Sequence, residues 1–167
     1  GYWPDGIYTA PTDEALRFDL EQAKALGYNL VRLHMKIEPA RWYYWADKLG
    51  LLVWQDMPAM RDNHSPSASD QVQFETELKE MIDERGNSPA IVMWVLFNEG
   101  WGQYATTRLA NLIKSWDPSR LVDSASGWDD EGAGDVIDRD RYVEPAGPTL
   151  QENRASVLGE FGGIGLK

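Results

Sequence analysis

The chain alternates between stretches with helical spacing of apolar residues and short, continuous apolar runs. Apolar positions three or four residues apart predict amphipathic helices. Such spacing occurs between Thr12 and Gly27 and in segments 39–49, 72–85 and 106–116. Thr12 is suited to cap the first helix, and Gly27 and Gly50 are suited to end the first two.

The continuous apolar runs lie between these helices and are typical of strands buried on both faces of a parallel sheet. We assign strands to segments 29–33, 51–55, 91–97, 121–123, 135–138 and 157–161. The polar, turn-rich segment 59–70 predicts a loop. Because strands and helices alternate, the pattern predicts βα units around a parallel sheet.

The number of strands limits how complete this sheet is. A closed (β/α)₈ barrel needs eight strands and usually at least ~200 residues, whereas this chain has 167 residues and six predicted strands. We therefore expect an α/β fold, a partial (β/α)₈ TIM barrel that lacks about two strands. Between Ser126 and Asp135 there is no room for a crossover helix, so an irregular loop is expected there. We expect residues 1–167 to form a single partial barrel domain of a larger multidomain protein.

Two glutamates follow predicted strands. Asn98 and Glu99 end the apolar run 91–97, and Glu160 ends the last run. Catalytic groups of α/β barrels lie at the C-terminal ends of the strands. A pair of carboxyl groups in that position suits glycoside hydrolysis, in which one protonates the leaving oxygen and the other attacks the anomeric carbon. The alternative is that both are ordinary surface glutamates that happen to follow strands.

Composition excludes several other functions. The net charge of −11 argues against binding of nucleic acid and of an anionic membrane surface. The absence of cysteine excludes disulfides and thiolate metal sites, and the only two histidines, His34 and His64, exclude a histidine-rich metal site. The 8 Trp and 7 Tyr exceed the needs of a core this size, and the excess suits a carbohydrate cleft.

Several segments together resemble glycoside hydrolase family 2, which includes β-galactosidases, β-glucuronidases and β-mannosidases. Val-Leu-Phe-Asn-Glu-Gly-Trp-Gly at 95–102 and Leu-Gly-Glu-Phe-Gly-Gly at 158–163 resemble the motifs of its fourth and seventh barrel strands. Segments 29–34, 47–58 and 117–120 resemble its second strand, its third strand and the turn before its fifth. The resemblance covers almost the whole chain, and its specificity comes from the combination of motifs.

The resemblance implies a role for each candidate residue at the fourth and seventh strands. It places the acid/base on Glu99 and the nucleophile on Glu160, and it implies that Asn98 binds the sugar 2-hydroxyl. Arg32 and His34 fall on a second-strand pair near the floor of the cleft. For Arg32, a buried ion pair with Asp56 or another carboxylate is an equal alternative, and His34 could instead be a core histidine.

The fifth and sixth strands carry the remaining candidates. We expect Trp101 and Trp128, which follow the fourth and fifth strands, to line the sugar site. In the sixth strand Tyr142 matches the family, but Asp140 stands where relatives often carry a histidine. The charges of Arg139 and Arg141 suggest that this segment is irregular.

The expected partner is a carbohydrate substrate, and this chemistry requires no cofactor and no metal. Two other interpretations stay open: a related barrel glycosidase of the cellulase or mannanase type, and a carbohydrate-binding or scaffold fragment without turnover. Because a partial barrel leaves strand edges unpaired, we also expect association with a second copy or with the remainder of a longer chain.

Overall fold

A computed structural model describes residues 3, 6, 7, 9, 12–60 and 65–163. Residues 61–64, which include His64 and part of the predicted loop, lie outside the described residues. The helices are α1 Asp13–Ala25, α2 Ala40–Leu49, α3 Ala68–Arg85 and α4 Thr106–Trp116. The strands are β1 Leu30–Leu33, β2 Leu52–Asp56, β3 Ile91–Val95, β4 Leu121–Asp123, β5 Val136–Arg141 and β6 Ala155–Phe161.

The strands form two parallel sheets that do not close into a barrel. Four strands pair in the order β1-β2-β3-β4, and β5 pairs with β6. Between β4 and β5 the described backbone makes a single antiparallel bridge, Asp123 to Gly134. The segment between Ser126 and Asp135 is an irregular loop, as predicted from its length. The fold is therefore a partial, parallel α/β arrangement of the TIM-barrel type.

Local sequence signals account for most helix ends. The Thr12 hydroxyl accepts a hydrogen bond from the Ala15 amide at 3.2 Å and caps α1. Gly50 ends α2 in the left-handed region, which glycine adopts without strain. The predicted start of α3 at residue 72 is wrong. The helix begins at Ala68, because Ser67 and Asp70 form a reciprocal capping box within what was expected to be loop.

The core lies mainly between the helices and the four-stranded sheet. Strand β3 contributes to both of its faces. Trp94 packs in the large cluster with the helices, whereas Met93 and Val95 pack on the inner face with Val136 of β5. The Trp94 indole is fully buried and donates a 2.9 Å hydrogen bond to Asp117. Within the described part of the chain, no helix combines the length and apolar character that crossing a membrane would require.

Strand β5 corrects part of the expectation that segment 138–145 is irregular, because regular strand extends to Arg141 and irregular backbone begins only at Tyr142. The strand continues to Arg141, and its ladder with β6 runs from Val136 to Arg141 with one register shift between Arg139 and Asp140. Alternation explains how charged residues fit a regular strand. Asp138 and Asp140 are buried on one face, whereas Arg139 and Arg141, on the other, remain partly or fully exposed.

Candidate active site

The C-terminal ends of the strands bring together polar side chains that are far apart in the sequence. Parallel strands present their carboxyl ends at the same edge, so residues that end or follow different strands meet there. The group, which we call the strand-end cluster, comprises Arg32, His34, Asp56, Asn98, Glu99, Asp140, Tyr142 and Glu160.

Arg32 of β1 lies at the centre of this cluster and contacts three other elements. Its Nε lies 3.0 Å from Asp56 Oδ1 and its Nη2 lies 2.9 Å from Asp56 Oδ2, so the two form a bidentate pair. Arg32 Nη2 also donates to Asn98 Oδ1 at 2.7 Å, and Nη1 to Glu160 Oε1 at 3.3 Å. Burial acts to lower the pKa of Arg32, but hydrogen bonding and the charges of Asp56 and Glu160 outweigh it and raise that pKa. Arg32 is therefore a fixed cation that contacts both Asp56 and the candidate site residues.

Tyr142 connects the two candidate catalytic glutamates. Its hydroxyl lies 3.0 Å from Glu99 Oε1 and 3.0 Å from Glu160 Oε2. The two carboxylate oxygens are therefore at most about 6 Å apart, twice that distance. A phenol has one proton to donate, so both contacts are hydrogen bonds only when one glutamate is protonated. Burial and the hydrogen bonds to Glu160 and Glu99 raise the pKa of Tyr142, which keeps the hydroxyl protonated.

The backbone holds Glu99 in a strained conformation. Its φ is +50°, a left-handed value that costs a residue with a side chain of order 1–3 kcal/mol. The surrounding backbone stabilises it, because the Glu99 amide donates to the Ser126 carbonyl at 2.9 Å beyond the end of β4. Strain of this kind concentrates where a side chain must be aimed for function.

His34 lies at the exposed side of the cluster. Its Nδ1 is 3.5 Å from Asp56 Oδ2 and 3.6 Å from Glu160 Oε1, and 46% of its side-chain surface is exposed. The hydrogen bond with Asp56 raises the pKa of His34, against the opposing effect of partial burial. His34 is thus a partly exposed group beside the candidate nucleophile rather than a core histidine.

A second group of acids lies beneath the cluster, and sequence reasoning missed it. Asp123 and Asp138 are each 1% exposed. Asp123 Oδ1 accepts from the Ala125 amide, and Asp138 Oδ2 accepts from the Ser126 hydroxyl. Their other oxygens have no hydrogen-bond donor in the described part of the chain. Burial, followed by the charge of Asp138, raises the pKa of Asp123, and burial raises that of Asp138. The two carboxyl groups interact with each other, so the pair can share one proton.

Strand alternation could have revealed these acids. Asp138 and Asp140 lie two residues apart, so they share a face of β5, and Asp123 ends the neighbouring β4. The sequence pattern indicates that these acids share a face. It does not predict that they are buried, because polar residues at strand ends are usually exposed to solvent. Their contact depends on how the two sheets are placed, which no local pattern specifies.

The two candidate tryptophans lie apart from the two glutamates, although Trp128 shares a cavity with Asp140 of the strand-end cluster. Trp101 is 37% exposed in the turn after Glu99. Trp128 is 38% exposed and lines a cavity of about 450 Å³ together with Arg139, Asp140 and Arg141. The lining of this cavity does not include Glu99 or Glu160. Contact of these indoles with a sugar stays a prediction. Among the described residues, no group of three or more His, Cys, Asp or Glu side chains is placed to hold a metal ion.

Polar and acidic side chains at the carboxyl ends of parallel strands are typical of the active sites of barrel enzymes. Residues 10–153 match the model of the glycosyl hydrolases family 2, TIM barrel domain. The chain therefore belongs to glycoside hydrolase family 2.

Individual relatives agree with this assignment. A putative β-glucuronidase of Formosa agariphila is 30% identical over 132 residues, covering 75% of this chain and 13% of that protein. A β-galactosidase of Klebsiella pneumoniae is 28% identical over 127 residues, covering 71% of this chain and 12% of that protein. The crystal structure of an FMN-binding β-glucuronidase from Facaelibacterium prausnitzii L2-6 superposes with a TM-score of 0.70 at 26% identity, covering 78% of this chain and 22% of that one. The chain thus spans only about an eighth of the length of the curated relatives.

Proposed function

We propose that this chain supplies the catalytic pair of a retaining β-glycosidase, with Glu160 as the nucleophile and Glu99 as the acid/base. The observation that carries the proposal is the shared contact with Tyr142, whose hydroxyl is 3.0 Å from a carboxylate oxygen of each glutamate. Retaining pairs lie ~5–5.5 Å apart and inverting pairs ~6.5–9.5 Å apart. An oxygen separation of at most about 6 Å is compatible with a catalytic carboxyl pair. The choice of a retaining mechanism comes from the resemblance to the family.

The proposed reaction has two displacement steps. In the first, a Glu160 carboxylate oxygen forms a bond to the anomeric carbon, the glycosidic C–O bond breaks, and Glu99 gives its proton to the departing oxygen. In the second, Glu99 takes a proton from a water whose oxygen attacks the anomeric carbon, and the bond to Glu160 breaks. The sugar leaves with its original configuration, and both carboxyl groups return to their starting states.

The neighbouring residues suit these roles. The Arg32 guanidinium lies 3.3 Å from Glu160 Oε1 and places a positive charge beside the proposed nucleophile. Asn98 is 2% exposed, and its Nδ2 has no acceptor within the described residues, so it has a free donor for a sugar hydroxyl. Arg32 holds the Asn98 Oδ1 at 2.7 Å, which fixes the direction of that donor.

The proposed substrate is a carbohydrate with a β-linked terminal sugar. The relatives' names point to β-glucuronides and β-galactosides as the first candidates. We further propose that residues 1–167 form part of one barrel domain, and that turnover requires strands beyond those the chain provides. Its partner would then be the remainder of a longer polypeptide or a second copy.

A panel of nitrophenyl β-glycosides tests this function. It should be applied to the chain alone and to the longest polypeptide that its gene encodes. Glu160→Ala should abolish turnover of every substrate that the unmodified protein cleaves, and added azide should restore it by taking the place of the nucleophile. Glu152→Ala, which removes an exposed glutamate from the loop before β6, is the matched control and should retain activity. Loss of activity in both variants, or in neither, would contradict the assignment of Glu160.

The leaving group distinguishes the role of Glu99. A good leaving group needs little help from a proton donor, whereas a poor one depends on it. Glu99→Ala should therefore slow hydrolysis of alkyl glycosides by about 10²–10⁴-fold, the usual contribution of a general acid, and slow dinitrophenyl glycosides much less. Equal losses on the two kinds of substrate would exclude Glu99 as the acid. Sugar binding without hydrolysis by the longest polypeptide would favour the binding fragment instead.

A further inference from the structure

Asp140 is a buried acid next to the proposed catalytic pair that the two-step reaction leaves without a role. It pairs with Glu160 in the β5–β6 ladder, so the two residues lie side by side on adjacent strands. Asp140 is only 2% exposed, and neither of its carboxylate oxygens has a hydrogen-bond partner among the described residues. A buried polar group without a partner is costly, so its presence here calls for a functional reason.

The backbone at Gly127 makes room for this carboxylate beside Glu99. Gly127 has a φ of +84°, and a Cβ at this position would lie 2.1 Å from Asp140 Oδ2 and 3.4 Å from Glu99 Cγ. Asp140 Oδ2 and Glu99 Cγ are therefore within about 5.5 Å of each other. A residue with a side chain at 127 would occupy the space that Asp140 uses. Asp140 thus adjoins Glu160 along the sheet and Glu99 through the space left by this glycine.

The charges around Asp140 are mostly negative. Burial, followed by the charges of Glu160, Asp138 and Glu99, raises the pKa of Asp140 to about 6, and the charge of Arg32 acts in the opposite direction. The titratable and charged groups that face Asp140 are Glu160 of β6, Asp138 of β5, Arg32 of β1, Glu99 after β3 and Tyr142 after β5. Asp140 therefore changes charge near pH 6, between two carboxyl groups that must hold different protonation states for the proposed reaction.

We infer that Asp140 is a positioning residue of this site, whose charge sets the pH range over which Glu99 can act as an acid. The inference rests on the proposed function. When Asp140 is ionised, its negative charge favours the protonated form of Glu99, because like charges at this distance oppose each other. The proton donor then survives to higher pH. When Asp140 is neutral, it no longer places a negative charge beside Glu99. The Glu160 carboxylate then also has one negatively charged neighbour fewer.

The coupling can be measured without turnover. Carboxyl carbon-13 NMR of the chain, recorded against pH, should give Asp140 a titration midpoint near 6. Glu99→Gln should move that midpoint to lower pH, because a neighbouring negative charge is removed and the coupling between two titrating groups is reciprocal. Asp83→Asn removes an exposed acid from α3 and should leave the midpoint unchanged. An Asp140 midpoint near its ordinary value of 3.8, or one that Glu99→Gln does not move, would overturn the inference.

The consequence for catalysis has its own test. In the active polypeptide, Asp140→Asn should move the alkaline limb of the kcat/KM profile to lower pH by about one unit, since the supporting charge is gone. Glu152→Gln is the exposed control and should leave both limbs in place. An alkaline limb that does not move in Asp140→Asn would contradict the inference. If no form of the protein turned over any glycoside, the proposed function would be refuted, whereas the NMR titration would still decide whether the carboxyl groups are coupled.

Discussion

The unpartnered carboxyl of Asp140 should make the stability of this protein depend on pH. The pKa of Asp140 is about 6 in the folded chain and 3.8 as the ordinary value. An acid whose pKa is raised by folding stabilises the folded state only while it is protonated, so that stability is lost as pH rises from below 3.8 to above 6. The pKa of Asp140 differs by about two units between the folded and unfolded states, and each unit is worth about 1.4 kcal/mol. The free energy of unfolding should therefore fall by about 3 kcal/mol across this pH range.

Asp140→Asn should abolish this part of the pH dependence, because the amide has the same shape and cannot ionise. The measurement is the free energy of unfolding in urea, for the wild type and the variant, at intervals from pH 4 to pH 8. The stability of the variant relative to the wild type should rise with pH by up to about 3 kcal/mol, with most of the rise below pH 6.5. Titrating groups that do not interact with Asp140 contribute equally to the free energy of unfolding of both proteins, so their contributions cancel in this comparison. A stability difference that stays constant across the range would refute the reasoning.

Other predictions concern packing, a buried ion pair and assembly. Gly127→Ala should destabilise the fold by at least ~1 kcal/mol, measured in urea, because the new methyl group meets Asp140 and the φ is positive. Burial acts to raise the pKa of Asp117, but hydrogen bonds from Ser119, Trp94 and Arg120 outweigh burial and lower that pKa to about 2. Asp117→Asn should therefore cost ~2 kcal/mol at pH 7, and the cost should shrink as pH falls from 3.8 towards 2. Leu78→Ala, at a fully buried position, should cost ~2–5 kcal/mol by urea unfolding. β1 and β6 have no further strand partner in the part of the chain that the structure describes, so these edges should make the chain self-associate, and a monomer by light scattering at all concentrations would contradict this.

Periodicity predicted the elements whose stability is mainly local. Helix α4, Thr106–Trp116, and strand β4, Leu121–Asp123, have the predicted bounds. Their apolar positions repeat with the period of the element, and the turn Asp117-Pro118-Ser119-Arg120 separates them. The start of α3 was missed because its first turn is polar. Only the reciprocal hydrogen bonds of Ser67 and Asp70 show that these residues belong to the helix rather than to the loop.

The candidate site was predictable as a list of residues but not as an arrangement. Motif resemblance singled out Arg32, Glu99 and Glu160, and the six strands and their parallel order followed from alternation. The contact between Arg32 and Glu160 joins positions 128 residues apart, and the sharing of Tyr142 by both glutamates depends on how far β5 extends. Neither is encoded in a local pattern. The expected irregularity was wrong for residues 138–141, because the arginines were assigned to the interior, whereas alternation places them on the opposite face.

The position of Glu160 depends on side chains more than on backbone pairing. Among the described residues, β6 pairs only with β5, and no ladder joins β5 or β6 to the four-stranded sheet that carries Glu99. The described contacts that connect Glu160 to that sheet run through Arg32 and His34 of the β1 end and through the Tyr142 hydroxyl. Arg32 is itself fixed by the buried Asp56. A cation held in this way can keep two sheets in register at their carboxyl ends, where the proposed chemistry requires it. It cannot replace the ladders that closing strands would add, which is why the longest polypeptide is the right material for the activity tests.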